Sequence, residues 1–127
     1  MSIRILVADD DPFIRRLVLF TLQKRGYEIL EASDGAAALD LVRREKPDLA
    51  VLDVLMPAMN GLDVTRTLAQ DPATSHIPIL ILSASAQQSE IETGLASGAT
   101  AYLIKPFEPK VLGERVAAIL EKRGVLQ

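Results

Sequence analysis

The sequence predicts an α/β domain built on a parallel five-stranded sheet with helices on both faces. Three observations lead there. Short apolar runs alternate five times with longer helix-patterned stretches, the mark of strand–helix–strand units joined by right-handed crossovers. Some of those runs, Leu49-Ala50-Val51-Leu52 above all, are apolar at every position; a strand buried on both faces reads this way, whereas a half-exposed strand alternates. Finally, 127 residues, 49% of them hydrophobic and 24% charged, suffice for one soluble core, so a single domain over residues 1–127 is expected.

Ile3 to Ala8 is the first strand candidate and ends in Asp9-Asp10-Asp11-Pro12. Asp11-Pro12 reads as a helix start: Asp is a good N-cap, and proline's missing N–H costs nothing at the first helical position. This helix turns Ile14, Leu17, Val18, Thr21 and Leu22 inward, with Phe13 and Phe20 flanking a wide buried arc, and closes on Lys24-Arg25-Gly26. Tyr27 to Ala32 makes the second strand. Asp34-Gly35 opens an Ala-rich helix with Leu39 and Val42 inward, Ala36-Ala37-Ala38 serving close packing, and Lys46-Pro47 ends it. The third strand runs from Leu49 to Asp53. Met56 to Gly61 reads as a loop, with Pro57 and Asn60-Gly61 as turn punctuation and the two methionines as core filling.

A helix carrying Leu62, Thr65 and Leu68 stops at Asp71-Pro72, and a polar connection follows. His76, the only histidine, lies in that connection and is assigned no catalytic role. Ile79 to Leu82 is the fourth strand, closed by Ser83. Ser85-x-x-Gln88 resembles a capping box. The helix it opens turns only Ile91 and Leu95 inward and contains Gly94, which costs about 1 kcal/mol relative to Ala. Such poor anchoring makes it a candidate moving part. Ala101 to Ile104 is the last strand and ends in Lys105-Pro106-Phe107. The final helix starts near Pro109, buries Leu112, Val116, Ile119 and Leu120, and ends at Lys122-Arg123-Gly124.

Composition excludes several classes of function. The apolar runs are far too short to span a bilayer, and no basic region, apolar stretch and cleavage site mark a signal peptide. The absence of cysteine excludes disulfides and thiolate metal sites. With 14 basic and 17 acidic residues, net charge −3 and no basic block, nucleic acid is not expected as a direct ligand. Neither G-x-x-x-x-G-K-[ST] nor G-x-G-x-x-G occurs, and the acidic loop after the first strand is wrong for a flavin phosphate.

What remains is a pattern at the strand ends. Four of the five strands close on groups that carry chemistry: Asp9-Asp10, Asp53, Ser83 and Lys105. Ligands of open parallel sheets bind outside these carboxyl ends, where strand order reverses. The order 2-1-3-4-5 makes the first and third strands neighbours at that switch point and gathers three carboxylates. Two carboxylates about 5 Å apart at an effective dielectric near 20 repel by about 3 kcal/mol, so a cation is called for. An all-oxygen site suits a hard ion such as Mg²⁺. Lys105 adds a mobile positive charge and Ser83 a neutral donor, so the set could stabilise a phosphoryl group on Asp53, the central carboxylate, with Asp9 and Asp10 occupied by the ion.

These motifs, with Asp9-Asp10, D-x-x-M-P-x-x-x-G from Asp53 to Gly61, Ser83-Ala84, Tyr102 and Lys105-Pro106-Phe107 in order, resemble the receiver domains of two-component response regulators, the CheY-like family, over nearly the whole chain. The resemblance implies the doubly wound (βα)5 fold, a cytoplasmic setting, and a sensor histidine kinase or histidine phosphotransfer protein that donates phosphate to Asp53 with Mg²⁺ or another divalent ion such as Mn²⁺. It implies metal ligation by Asp10, Asp53 and the Leu55 backbone carbonyl, with Asp9 acting largely through water. Ser83 and Tyr102 become the switch: the hydroxyl moves toward the phosphoryl group, the ring turns inward, and the surface of the fourth helix, fifth strand and fifth helix changes for a downstream partner or fused output domain. A cis Lys105-Pro106 bond is also implied. The implied activity is that of a switch, not an enzyme, beyond self-phosphotransfer and autodephosphorylation.

Two departures qualify the resemblance. Thr100-Ala101 stand where the winged-helix transcription-factor branch has acidic residues used in dimerisation, which argues against that dimer mode; oligomeric state stays open, with a phosphorylation-dependent dimer as one outcome. Leu55 and Ser85 occupy positions that in the family influence how fast water removes the phosphate, and an apolar Leu55 points to slower loss. The alternative from another class is an Mg²⁺-dependent phosphoaspartyl hydrolase, which also uses a strand-end Asp, Ser and Lys but wants a second Asp where this chain has Leu55.

Overall fold

A computed structural model describes residues 2–124; Met1 and residues 125–127, the ends of the predicted 1–127 domain, lie outside it. The chain runs β1 (Arg4–Ala8), α1 (Pro12–Gln23), β2 (Glu28–Ala32), α2 (Gly35–Glu45), β3 (Leu49–Asp53), α3 (Gly61–Gln70), β4 (Ile79–Ser83), α4 (Gln88–Ala96), β5 (Ala101–Ile104) and α5 (Pro109–Lys122). The sheet is parallel throughout in the order β2-β1-β3-β4-β5.

The apolar strand runs are explained by two cores, one on each face. Ile5, Val7, Leu49, Val51, Leu80 and Leu82 point to one side and pack with Val18 and Leu22 of α1 and Leu112, Val116 and Leu120 of α5. The intervening Leu6, Ala8, Ala50, Leu52, Ile79 and Ile81 point to the other, against Ala38 and Val42 of α2 and Val64 and Leu68 of α3. Period-two alternation is therefore present, but both sides are apolar and it cannot be read as polarity.

Most helix ends are closed as their residue types dictate. The Asp11 carboxylate accepts from the N–H groups of Phe13 and Ile14, with Pro12 in the first turn, and Asp34 accepts from the Ala37 N–H. Asn60, predicted as turn punctuation, is the N-cap of α3 and accepts from the Asp63 N–H at 2.9 Å. The polar connection after α3 is tied down by Thr74, which is buried and donates to the Leu68 carbonyl at 2.8 Å. His76 is exposed, as expected.

Three side-chain placements correct the sequence reading. Phe13 and Phe20 do not flank a buried arc; they are 74% and 52% exposed, because α1 is apolar nearly all round and α5 covers only the Val18–Leu22 side. The Ser85-x-x-Gln88 capping box does not form. Gln87 is the N-cap of α4 with no side-chain cap bond, and the Ser85 hydroxyl accepts from the Gln87 N–H at 3.2 Å while bonding the Glu90 carboxylate. Leu95 faces outward, leaving Ile91 partly buried and Gly94 as the one fully buried residue of α4. The weak anchoring expected of this helix is thus stronger than the sequence implied.

Gly61 needs its missing side chain. A Cβ there would lie 2.2 Å from the Asp53 carbonyl oxygen, and the Gly61 N–H donates to the Val54 carbonyl at 2.9 Å, so the start of α3 rests on the backbone of the β3 end. Gly61→Ala is expected to destabilise the domain by about 2–3 kcal/mol, since the opposing atoms are main chain and cannot swing aside. Urea denaturation checks this; an unchanged midpoint would mean that the β3–α3 loop shifts freely.

Candidate functional site

Strand register delivers the site. Ala8 pairs with Leu52, Asp53 with Leu82, and Ser83 with Ile104, so the residues that close β1, β3, β4 and β5 lie at one edge of the sheet. The period of two then sorts them. Asp9, Asp53 and Lys105 continue the face of Val7, Val51 and Leu103, whereas Ser83 and Tyr102 continue the opposite face, with Ile81.

On the first face, Lys105 Nζ donates to Asp9 Oδ2 at 3.1 Å and to Asp53 Oδ1 at 3.0 Å. Asp9 is fully buried; its second oxygen accepts from the Asp11 N–H at 3.0 Å, and its carbonyl accepts from Arg15 Nη1 at 2.7 Å. Asp53 is 6% exposed, and Asp10 lies exposed at the rim. Carboxylate oxygens of Asp9, Asp10 and Asp53 all fall within 4.8 Å of one another. They line a cleft of about 670 Å³ with Leu55, Ser83 and Lys105. Oxygen-only donors crowded at the mouth of an open cleft suit a hard divalent cation that retains water.

Burial pushes the Asp53 carboxyl up, Lys105 pulls it back, and the Asp9 charge raises it again, leaving a pKa of about 6. Burial alone would lower Lys105, but its hydrogen bonds to Asp53 and Asp9 and their negative charges outweigh that and raise it. One cation is thus shared by two buried anions, with a third at the rim.

On the second face, Ser83 Oγ accepts from the Ser85 N–H at 3.1 Å, and Tyr102 is half-buried with its hydroxyl donating to the Ser85 carbonyl at 3.0 Å. Ser83 and Tyr102 are therefore linked through one segment, the β4–α4 loop. Gly94 lies under the Tyr102 ring, where a Cβ would come to 3.0 Å. Lys105-Pro106 is cis. Leu55 is 75% exposed at the cleft.

All of the sequence-predicted site residues, Asp9, Asp10, Asp53, Leu55, Ser83 and Lys105, line this one cleft, with Tyr102 behind it. Sequence reasoning named Gly61 as a turn and motif residue and Gly94 as a propensity cost but missed their roles as supports of Asp53 and Tyr102, and it missed Arg15, which holds the Asp9 backbone. Gly61 closes the D-x-x-M-P-x-x-x-G motif and offered a signal there; Arg15 lies six residues beyond Asp9 on a helix and offered none.

Comparison with known proteins gives the same picture. Residues 5–117 match the model of the response regulator receiver domain. The chain is 43% identical over 122 residues to the DNA-binding response regulator MtrA of Mycolicibacterium smegmatis, covering 96% of this chain and 52% of that protein. It is 41% identical over 125 residues to the alkaline phosphatase synthesis transcriptional regulatory protein PhoP of Bacillus subtilis, covering 98% and 51%. The chain thus spans about half the length of these curated relatives. Among solved structures, a putative response regulator from Chloroflexus aurantiacus superimposes with a TM-score of 0.91 at 36% identity, covering 95% of this chain and 99% of that one. The chemotaxis response regulator CheY4 of Vibrio cholerae does so with 0.89 at 33%, covering 94% and 100%. With its strand order, its converging acids and these likenesses, the chain belongs to the family of response regulator receiver domains, the CheY-like signalling switches of two-component systems.

Proposed function

We propose that the chain is a single receiver domain that takes a phosphoryl group from a partner phosphohistidine onto Asp53, and that this changes the α4-β5-α5 surface to control a downstream protein or an attached output domain. The observation that carries the reading is Lys105 Nζ bridging Asp53 and Asp9 at the mouth of an acidic cleft. Asp53 presents a carboxylate oxygen to the donor's phosphorus. The new O–P bond forms as the P–N bond breaks, and the electron pair leaves with the imidazole nitrogen, which is reprotonated from solvent. Lys105 and Ser83 receive the transferred oxygens, Lys105 by exchanging its Asp53 contact for a phosphoryl contact. The proximity of the three acids fits Mg²⁺, which Asp10, Asp53 and the Leu55 carbonyl would hold, with Asp9 acting through water. Bound there, the ion supplies charge neutralisation to carboxylates and phosphoryl oxygens alike.

Ser83 would then leave the Ser85 N–H for the phosphoryl group, and the Ser85 segment that moves with it carries the acceptor of the Tyr102 hydroxyl. The donor in this reading is a sensor histidine kinase or a histidine phosphotransfer protein. The hydrolase alternative gains nothing from the geometry, because Leu55 supplies no acid at the position where that mechanism needs one.

Incubation with a small acyl-phosphate donor and Mg²⁺, read by intact mass, tests the proposal. One phosphoryl increment is expected on the wild type and none on Asp53→Asn. Asp10→Asn should label only at higher Mg²⁺, its metal affinity lowered by about tenfold or more. Labelling that survives in Asp53→Asn would refute the acceptor assignment, and multiple turnover of a free phosphate ester would favour the hydrolase.

A further inference from the structure

The turn that carries the acid pair is held from behind by a side chain that the proposed chemistry does not use. Arg15 lies near the start of α1; its Nη1 donates to the Asp9 carbonyl at 2.7 Å, and its Nε donates to Glu31 Oε1 of β2 at 3.3 Å. The Arg15 side chain is 21% exposed and that of Glu31 50%. One guanidinium thereby ties the end of β1 to both α1 and β2. Asp9 is held on its other side by its own N–H, which donates to the Ala32 carbonyl at 3.2 Å, and the Arg15 N–H closes the turn by donating to the Asp11 carbonyl at 2.9 Å. A peptide is planar, so a fixed Asp9 C=O also fixes the Asp10 N–H and the direction in which the Asp10 Cα leaves. Asp10 needs that support. It is exposed and joins no ion pair among the described residues, whereas Asp9 and Asp53 are buried and share Lys105. Its carboxylate nevertheless offers an oxygen within 4.8 Å of theirs, where like charges repel.

We propose that Arg15 is a positioning residue for the divalent ion: through the Asp9 carbonyl it holds the Asp9-Asp10 turn so that both acids line the cleft, and Glu31 orients its guanidinium for that task. Charge alone would have the opposite effect. A cation behind the acids repels an incoming ion, so an Arg15 that acted only by its charge would weaken metal binding, and its loss would strengthen it. A purely structural bond would be felt across the domain and not at this turn. Outer partners that orient metal ligands typically cost about tenfold or more in affinity when removed, although they never touch the metal. A guanidinium, with several donors in one rigid plane, is suited to hold a carbonyl and a carboxylate at once. The inference deepens the proposed function by adding a residue behind the acids. It rests on that reading for the ion, whereas the placement of the turn is tested without one.

Amide hydrogen exchange on the metal-free, ¹⁵N-labelled chain reads the turn, and Mg²⁺ titration followed by amide shifts reads the ion. In Arg15→Ala the Asp9 and Asp11 amides are expected to exchange about tenfold faster, the core amides of Leu52 and Ile81 to change by less than about threefold, and Mg²⁺ to bind about tenfold more weakly. Arg15→Lys keeps one donor for the carbonyl and should bind Mg²⁺ within about threefold of wild type. Glu31→Ala, a change at a half-exposed side chain that spares the core, should give an intermediate loss in both readings. Arg16→Ala removes the same charge one residue along, from an exposed side chain that joins no ion pair among the described residues, and should change neither. Unchanged exchange at Asp9 and Asp11, an equal acceleration at Leu52 and Ile81, Mg²⁺ binding in Arg15→Ala as tight as in wild type or tighter, or a loss of equal size in Arg16→Ala would each overturn the proposal. A wild type that binds no Mg²⁺ would overturn the cation reading of the cleft, and the exchange measurement would still decide whether Arg15 holds the turn.

Discussion

Asp53→Asn is expected to make the metal-free protein more stable at pH 7.5, by roughly 2–3 kcal/mol, while removing the proposed phosphoacceptor. Asp53 is 6% exposed beside fully buried Asp9, and its carboxyl is raised from 3.8 to about 6 in the fold, so the folded state prefers it protonated. The linkage has a definite sign. A raised folded pKa contributes stability that is fully present below about pH 4 and lost as pH rises through about 6. Asparagine resembles the protonated carboxyl in shape and carries no charge to desolvate. The difference between variant and wild type should therefore be near zero at pH 4, open between pH 4 and 6, and hold constant above. Urea denaturation across that range reads it directly, and Mg²⁺ should close the gap by stabilising the wild type in proportion to its occupancy. A gap that is absent at pH 7.5, or that widens toward low pH, would show that Asp53 is not held ionised against its surroundings.

This instability was partly legible in the sequence. Asp53 stands out because four apolar residues precede it, and the strand-end rule gathered Asp9, Ser83 and Lys105 around it. Fold class and order were readable for the same reason: strands buried on both sides announce themselves by composition. What could not be read was which group faces which. Ser83 and Lys105 both close strands, but period-two parity sends Lys105 to the Asp9–Asp53 face and Ser83 to the Tyr102 face, and parity is invisible where both faces are apolar. Helix α1 failed for a related reason: Phe13, Ile14, Leu17, Val18, Phe20 and Leu22 wrap too much of its circumference to define one buried side. Gly94 read as a propensity cost because its compensation, room for the Tyr102 ring, comes from another element. Leu95 read as inward because spacing alone cannot say that a helix is shallowly seated.

Lys105→Ala should move the same quantities the other way. Its ammonium is the common partner of two buried carboxylates, at 3.0 and 3.1 Å, and its loss leaves both without a cation. Breaking a fully buried pair costs about 3–5 kcal/mol, and an 18% exposed lysine at an open cleft brings the cost below that range, to about 2–3 kcal/mol at pH 7.5 in the absence of metal. Because Lys105 lowers the Asp53 carboxyl, its removal should carry that group above 6 and extend the upper edge of the pH window of the preceding prediction, leaving its lower edge near pH 4. Metal affinity should rise by about tenfold, since a positive charge no longer competes for Asp53 Oδ1 and Asp9 Oδ2. In the proposed cycle the lysine would thus serve as a tethered cation for Asp53 and Asp9 when no ion is bound. In Lys105→Ala/Asp53→Asn the two effects should not add, because the asparagine removes one of the anions that the lysine serves, and a coupling of about 1–3 kcal/mol is expected. Unchanged Mg²⁺ affinity in Lys105→Ala, or strict additivity in the double variant, would mean that the ammonium does not hold the acids together in solution, and the role proposed for it in receiving the phosphoryl oxygens would lose its structural basis.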